Sequence, residues 1–367
     1  MALSPLNQRR WRNFTSNRRA FWSLWLFLAI YGFTLCAELI ANERPLLVNY
    51  RGHYYMPFLH SYAETTFGGD FQTEAKYRDA EVQCLIISGG VIDCLDDPAG
   101  ITARLATGEA IDGASPGWVI WPPIRSSFST INDIGRAAPS PPDRDHILGT
   151  DDTARDVAAR VIYGFRLSVT FALVVTLLTS VIGIASGAVQ GYFGGLVDLV
   201  FQRIIEIWGS TPTLYVIIIV AAIWRMNFWL LVGLMVLFGW TSLIGVVRAE
   251  FLRARNFEYV RAARALGIGD TVIIFRHVLP NAMVATLTML PFITTGSIGT
   301  LATLDFLGFG LPASAPSLGE LTLQAKQNLQ APWLAFTAFF TYAIMLSLMV
   351  FIFEGIRDAF DPRKTFR

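Results

Sequence analysis

The sequence predicts an all-α integral membrane protein with six transmembrane helices, from its composition and the lengths of its apolar runs. Hydrophobic residues make up 53% of the 367 residues and charged residues only 16%, whereas about a quarter of residues are charged in soluble domains. A membrane-spanning helix needs about 20 apolar residues, because each adds ~1.5 Å of rise across ~30 Å of hydrocarbon. Six segments meet that requirement.

The six expected spans are separated by polar or proline-containing segments. Their bounds are 20–41, 165–187, 199–222, 228–247, 281–303 and 332–353, and the last five belong to a five-helix core over 165–354. The first span has an apolar core of about 20 residues, longer than the ~7 to 15 of a cleaved signal peptide. It is therefore expected to stay in the protein as a signal anchor.

Charge predicts the orientation, because basic residues near span ends remain in the cytoplasm. The segment 1–19 contains five arginines and no acidic residue, and 248–277 contains six arginines against three acidic residues. By contrast, 42–164 contains ten basic and seventeen acidic residues. Both termini, including the tail 355–367, and a loop over 248–280 are thus expected in the cytoplasm.

The expected external insert, 42–150, is rich in proline and is predicted to be loop-rich. Its aromatic side chains could pack the insert or contact a partner. Cys84 and Cys94 are its only cysteines, ten positions apart. An oxidising compartment permits a disulfide between them, whereas Cys36 lies in the first span and is interpreted as a small apolar residue.

Residues 151–164 are predicted to form an interfacial helix that leads into the second span. Asp151 or Asp152 is suited to cap it. Its apolar side chains recur with helical spacing and its charged side chains lie between them.

The fifth expected span is rich in hydroxyl groups and contains a proline. The candidate residues for a translocation path are Thr288, Pro291, Thr294, Thr295 and Ser297. Hydroxyls can line a path for a polar solute without the cost of a charge. They can equally bond to backbone carbonyls or to a neighbouring helix, and the sequence leaves these alternatives open.

The cytoplasmic loop contains a short motif that is typical of docking. Its candidate residues are Arg261, Ala262, Ala263, Gly267, Leu279 and Pro280. The two alanines are expected to let a partner surface approach closely, and Gly267 is expected to adopt a positive φ that ends the first helix. Asp270 is suited to cap a second short helix, and Pro280 is expected to end the unit.

Enzymatic motifs are absent from the sequence. It has no phosphate-binding loop of the type G-x-x-x-x-G-K-[ST], only three lysines, and four histidines without metal-ligand spacing. The chain is therefore predicted to be non-catalytic, with no cofactor, metal or nucleic acid bound to it.

The loop motif resembles the EAA motif of bacterial ABC-importer permeases, with Arg261 in place of the usual glutamate. Three further stretches resemble the dipeptide, oligopeptide and nickel permease family: 148–168, 305–312 and 316–320. Ala154 replaces a glycine that is common in the first of these stretches. The N-terminal stretches 3–11 and 38–47 resemble Yej-type permeases, the E subunits of microcin C and oligopeptide uptake systems.

This resemblance implies a type I permease fold and a role in oligopeptide or microcin C uptake. The implied partners are a second homologous permease, a cytoplasmic ABC ATPase that binds ATP and magnesium, a periplasmic peptide-binding protein and membrane lipid. The alternatives are another solute of the family, such as a dipeptide or nickel, or a stand-alone secondary transporter. A secondary transporter is expected to show inverted repeats and embedded acidic residues, neither of which is clear here.

Overall fold

The protein, described by a computed structural model over residues 5–107 and 115–360, comprises two compact units. The helical unit contains 5–32, 164–327 and 335–360, and the insert unit contains 33–163 and 328–334, apart from 108–114. Of the expected cytoplasmic tail, positions 361–367 lie outside the described residues.

Helices dominate the described residues. The α-helices are α1 (Pro5–Ser16), α2 (Arg18–Leu35), α3 (Ala37–Ile40), α4 (Ala80–Ser88), α5 (Pro98–Ala106), α6 (Val157–Phe193), α7 (Gly195–Gly209), α8 (Thr213–Ile223), α9 (Phe228–Gly239), α10 (Ile244–Ala254), α11 (Glu258–Ala265), α12 (Asp270–Val272), α13 (Leu279–Phe306), α14 (Leu318–Gln327) and α15 (Pro332–Phe360). The 3₁₀ turns are Glu64–Phe67, Ile92–Leu95 and Trp240–Leu243, and a π-helical turn covers Ile273–Val278. The strands are β1 (Leu47–Tyr50), β2 (His53–Tyr55) and β3 (Trp118–Ile120).

Within residues 5–107 and 115–360, four continuous helical segments are long and apolar enough to cross a membrane: Val157–Phe193, Phe228–Ala254, Asp270–Phe306 and Pro332–Phe360. The pair α7 and α8, bent by 62°, makes a fifth if it is counted as one span. α2 is not among them, because Arg18 and Arg19 lower the mean hydropathy of its 18 residues. Length and composition thus give four or five spans where the sequence predicted six.

Two expected spans are interrupted. The predicted continuous span 199–222 breaks before Thr213, because Pro212 lacks the N–H that would continue the helix. Within the predicted span 20–41, the long helix α2 ends at Leu35. Ala41 then adopts an extended conformation, and its carbonyl accepts a hydrogen bond from the Tyr163 hydroxyl at 2.9 Å.

The expected interfacial helix over 151–164 is wrong in its first six residues. The backbone there forms a turn around the buried Asp151 carboxylate, which accepts hydrogen bonds from the Arg155 backbone N–H at 2.9 Å and from Arg155 Nε at 2.7 Å. Asp156, not Asp151, caps the helix by accepting from the Ala159 N–H at 3.0 Å. Burial raises the pKa of Asp156. α6 then continues without a break to its end at residue 193.

Ala154 lies in this turn with φ +61°, in the left-handed region. Its carbonyl accepts hydrogen bonds from the backbone N–H and the side-chain amide of Asn132, both at 3.0 Å, which hold the conformation. An L-residue with a Cβ is strained there by about 1 to 2 kcal/mol. The positive φ favours glycine, which is the residue that the resemblance leads us to expect at this position.

The insert unit is built on a three-stranded antiparallel sheet in the order β2, β1, β3. Val48 of the central strand is fully buried and pairs with Tyr55 on one side and Val119 on the other. Aromatic rings surround the fully buried Phe67, including Tyr55 at 5.4 Å between ring centroids. Tyr54 is 67% exposed. Some aromatic side chains of the insert therefore pack its core, whereas others lie on its surface.

The structure joins Cys84 of α4 and Cys94 by a disulfide, with their Cα atoms 5.6 Å apart. Both cysteines are fully buried, and they form a small core with Leu85 and Ile101. Crosslinking a loop this short stabilises a fold by ~2 to 3 kcal/mol in the chain-entropy treatment. Cys36 is free and exposed.

In the helical unit, α6 packs closely against residues 240–254, here called the α10 segment, along three glycines spaced four residues apart. A Cβ added at Gly183 lies 2.7 Å from the Trp240 carbonyl, and one at Gly187 lies 2.8 Å from Val247 Cβ. At Gly191 an added Cβ lies 2.6 Å from the carbonyl of Arg248. These separations leave no room for a side chain, so the glycines set the distance between the two helices.

We expect Ala154→Gly to stabilise the protein by about 0.5 to 1 kcal/mol, because relief of the left-handed strain exceeds the added entropy of the unfolded chain. The midpoint of thermal unfolding in detergent measures the change. Ala158→Gly, within α6, is the matched control and should lower the midpoint, because glycine is unfavourable inside a helix. An equal decrease for both variants would contradict the strain assigned to Ala154.

Thiol labelling tests the disulfide. The denatured, unreduced protein should react at one cysteine, Cys36, and at three cysteines after reduction. Mass spectrometry counts the labelled positions. Three reactive thiols before reduction would show that Cys84 and Cys94 are not joined.

Candidate coupling site

The segment 258–280, here called the coupling segment, begins where α10 ends and leads into α13. α11 carries charge on its outer side and buries Val260 and Ala263. These two side chains join Phe251 of α10 and Ile273 of the following turn in one apolar cluster. The segment is therefore packed on its own chain along its inner face.

Gly267 ends α11 as expected, with φ +76°. The Ile268 N–H donates to the Ala263 carbonyl at 3.1 Å, and the Gly267 N–H donates to the Arg264 carbonyl at 3.0 Å. These two bonds are those of a Schellman motif, which requires a left-handed residue after the helix. No atom lies within 4 Å of a Cβ added at Gly267, so conformation and not space demands glycine here.

The two alanines occupy different environments. Ala262 is exposed, as is Arg261, whereas Ala263 is 6% exposed and belongs to the apolar cluster. The expectation that both alanines admit a partner surface is wrong for Ala263, and Ala262 is the one of the two that is exposed. Ala263 is small because its own chain packs against it.

The second half of the segment differs from the expected short, separate helix. α12 continues through the π-helical turn Ile273–Val278 into α13. Leu279 is half-buried in this run, and Pro280 occupies its second α13 position. Pro280 has no N–H to donate, but the helical run continues through it to Phe306 and does not end there.

Asp270 also differs from expectation. Gly269 occupies the N-cap position of α12, and the Asp270 side chain caps nothing. Instead its carboxylate accepts a hydrogen bond of 2.5 Å from the hydroxyl of Tyr192, at the end of α6. The sequence pattern of the loop gives no indication of this contact, because Tyr192 lies 78 positions earlier.

The coupling segment, together with the residue before it, exposes large apolar side chains between its arginines. Its exposed large side chains are Phe257 (41%), Tyr259 (40%), Leu266 (80%), Val272 (47%) and Phe275 (65%). Clustered exposed apolar side chains, outside the apolar spans, are typical of a protein contact surface.

The hydroxyls of α13 are bonded mainly within the helix. Thr288, Thr295 and Ser297 donate to the carbonyls three or four residues earlier, at 2.6 to 2.8 Å. Thr294 donates to the Leu290 carbonyl at 2.8 Å and accepts from Thr176 of α6 at 3.1 Å.

These hydroxyls differ in exposure. Thr294 and Ser297 are buried, whereas Thr288, Pro291 and Thr295 are half-buried. The structure thus brings two of the five candidate residues into the helix packing and leaves three accessible at the surface of this chain.

A buried carboxylate organises the end of α13. Asp305, 3% exposed, accepts hydrogen bonds from the Leu311 N–H at 2.7 Å and from the Ser317 hydroxyl. A Cβ at Gly310 would overlap the same carboxylate. The motif 305–312 is thereby a closed turn that leads to α14, a role that the sequence pattern did not reveal.

Comparison with known proteins identifies the family of this helical core. Residues 179–366 match the binding-protein-dependent transport system inner membrane components, and residues 4–67 match the N-terminal transmembrane domain of oligopeptide transport permease C. The chain belongs to the first of these families. The permease is accordingly a multi-pass inner membrane protein, as the sequence predicted.

Individual relatives cover nearly the whole permease. It is 53% identical over 363 residues to the inner membrane ABC transporter permease protein YejE of Escherichia coli (strain K12), which covers 99% of this chain and 98% of that protein. It is 50% identical to the peptidoglycan transport system permease protein YejE of Agrobacterium fabrum, over 99% of this chain and 95% of that protein. The oligopeptide transport system permease protein OppC of Lactococcus lactis subsp. lactis is 35% identical over 60% of this chain and 77% of its own length.

Proposed function

We propose that this permease is the transmembrane subunit of an ATP-driven importer that carries oligopeptides into the cytoplasm. We further propose that the coupling segment binds a separate ATPase. The exposed apolar surface around Gly267 carries the second proposal, because Leu266 is 80% exposed at the tip of a Schellman turn. A rigid turn that presents a large apolar side chain is suited to insertion into a cleft.

The proposed topology has six crossings. α2 supplies the first, the bent pair α7 and α8 the third, and the four long segments the others. With the basic N-terminal arm inside, both termini and the coupling segment lie in the cytoplasm, and the acidic insert unit lies in the periplasm. A disulfide between Cys84 and Cys94 is compatible with that location.

The proposed substrates are oligopeptides, including peptide antibiotics of the microcin C type. Support comes from the OppC relative, which is named for oligopeptide transport, and from the match to oligopeptide permease C. The Agrobacterium relative is named for peptidoglycan transport, which favours peptidoglycan fragments as a second candidate substrate. A dipeptide or nickel remains the alternative within the same family.

The proposed partners are a second homologous permease, a cytoplasmic ABC ATPase that holds ATP and magnesium, and a periplasmic peptide-binding protein. Uptake by membranes that contain the complete system tests the substrate. A deletion strain with and without this gene is offered labelled oligopeptides, microcin C, peptidoglycan fragments and nickel. If the gene restores uptake of oligopeptides, the proposal is supported. If it restores uptake of only one of the other solutes offered, the proposed substrate class is overturned.

The accessible face of α13 is proposed to contribute to the translocation path through Thr288, Pro291 and Thr295. Cysteines placed at positions 288 and 295 should react with a membrane-impermeant thiol reagent in the assembled transporter. Thr294→Cys is the matched control and should stay unlabelled, because Thr294 is fully buried against α6. Protection at all three positions would remove this face from the path.

Gly267→Val should reduce uptake while the protein still inserts in the membrane. A valine at φ +76° strains the turn by about 1 kcal/mol or more, which displaces Leu266 from its position. Gly269→Val is the matched control: its φ is −64°, and an added Cβ there also meets no atom within 4 Å.

Peptide uptake and membrane abundance are measured for both glycine variants. Equal uptake by Gly267→Val and Gly269→Val, at equal abundance, would contradict a coupling role for this turn. Loss of uptake in both would assign the effect to the added side chain and not to the conformation.

A further inference from the structure

Tyr192 occupies an unusual position between α6 and the coupling segment. Its side chain is 2% exposed, and its ring belongs to the apolar cluster that contains Phe251, Val260 and Ile273. Since a side chain in such packing has one available rotamer, the hydroxyl is held at a fixed point. Tyr192 directly follows Gly191, where α6 approaches α10 most closely.

The Tyr192 hydroxyl contacts both sides of the Gly267 turn. It donates to Asp270 Oδ1 at 2.5 Å and accepts from Arg264 Nε at 3.3 Å. The Arg264 guanidinium carbon also lies 4.7 Å from the centre of the Tyr192 ring, as in a cation–π contact. Arg264 is in the last turn of α11 and Asp270 is the first residue of α12.

Of these contacts, the hydroxyl bond contributes most to the arrangement. Arg264 Nε and Asp270 Oδ1 are 3.9 Å apart, and both side chains are about half exposed (44% and 55%). An ion pair so exposed and so long is weak. A short bond from a buried hydroxyl to a carboxylate is stronger, because the donor is already fixed and the acceptor is charged.

We infer that Tyr192 is a positioning residue for coupling: its hydroxyl holds α11 and α12 in one orientation relative to the end of α6. The inference rests on the proposed docking of the coupling segment to the ATPase. Movement of the ATPase then reaches α6 through Tyr192 as well as α13 through the continuous helix. Without the hydroxyl, the segment still docks, but its movement is transmitted less completely.

Tyr192→Phe is the test, since it removes the hydroxyl and keeps the packed ring. The complete transporter, with its partner subunits, is reconstituted in liposomes. ATP hydrolysed per peptide taken up is measured with the labelled peptide that the wild-type transporter carries. We expect the ratio to rise about tenfold, the factor that corresponds to the loss of one hydrogen bond to a charged group.

Two controls separate positioning from general destabilisation. Tyr31→Phe removes another hydroxyl bonded to α6, at 3.0 Å from Thr170, and should leave the ratio unchanged. The double variant Tyr192→Phe, Asp270→Asn should show no further rise over Tyr192→Phe, because both changes act on the same bond. A structural defect alone would instead lower ATP hydrolysis and uptake together, leave the ratio constant, and overturn the inference.

A cross-link distinguishes failure of this inference from failure of the proposed docking. Leu266→Cys, in a chain with Cys36→Ser, is labelled with a reagent that carries one thiol-reactive and one photoactivatable group, and the assembled transporter is illuminated. A cross-link to the ATPase with an unchanged ratio in Tyr192→Phe overturns the role of Tyr192 alone. Absence of any cross-link overturns the docking and, with it, this inference. A cross-link with the raised ratio supports both.

Discussion

The arrangement of the helical unit depends on the close contact between α6 and the α10 segment. Gly183, Gly187 and Gly191 present backbone, and not side chains, to residues 240–251. Lipid is as apolar as a leucine side chain, so burial of apolar surface does not hold two such helices together. Close van der Waals contact does so instead, and small residues allow it. Any side chain at these glycines would separate the helices by the width of that side chain.

The same contact determines where the coupling segment lies. α10 leads through residues 255–257 into α11, and α6 ends two residues after its last packed glycine, just past Tyr192. Arg248 of α10 also forms a two-pronged ion pair with Asp198 of α7, at 2.5 and 2.6 Å. The ends of three helices are thus fixed next to one another before the first residue of the coupling segment. These three helix ends therefore set the orientation of the coupling segment.

Local features of this region could be predicted from the sequence, whereas its long-range contacts could not. The positive φ of Gly267 followed from residue type, because the end of a helix needs a left-handed residue. The burial of Ala263 and the bond from Tyr192 to Asp270 depend on residues far apart in the chain, so loop spacing carried no information about them. The glycines of α6 recur every fourth residue. That spacing is typical of a close helix contact and could have been used to predict one, although the apolar composition of the span does not indicate it.

The largest correction, the continuity of α12 with α13, changes how coupling can work. A docking unit that ended at Pro280 would be joined to the fifth span by a hinge, and movement of the ATPase could be absorbed there. Pro280 instead lies inside a continuous helical run, directly after the π-helical turn, and the run does not end there. Residues 270–280 of the coupling segment and the face that contains Thr288 and Thr295 therefore belong to one run of helix, 37 residues long. Under the proposed mechanism, displacement of the segment is carried along this run to that face, and the run can bend at the π-helical turn that precedes Pro280 and, further along, at Pro291.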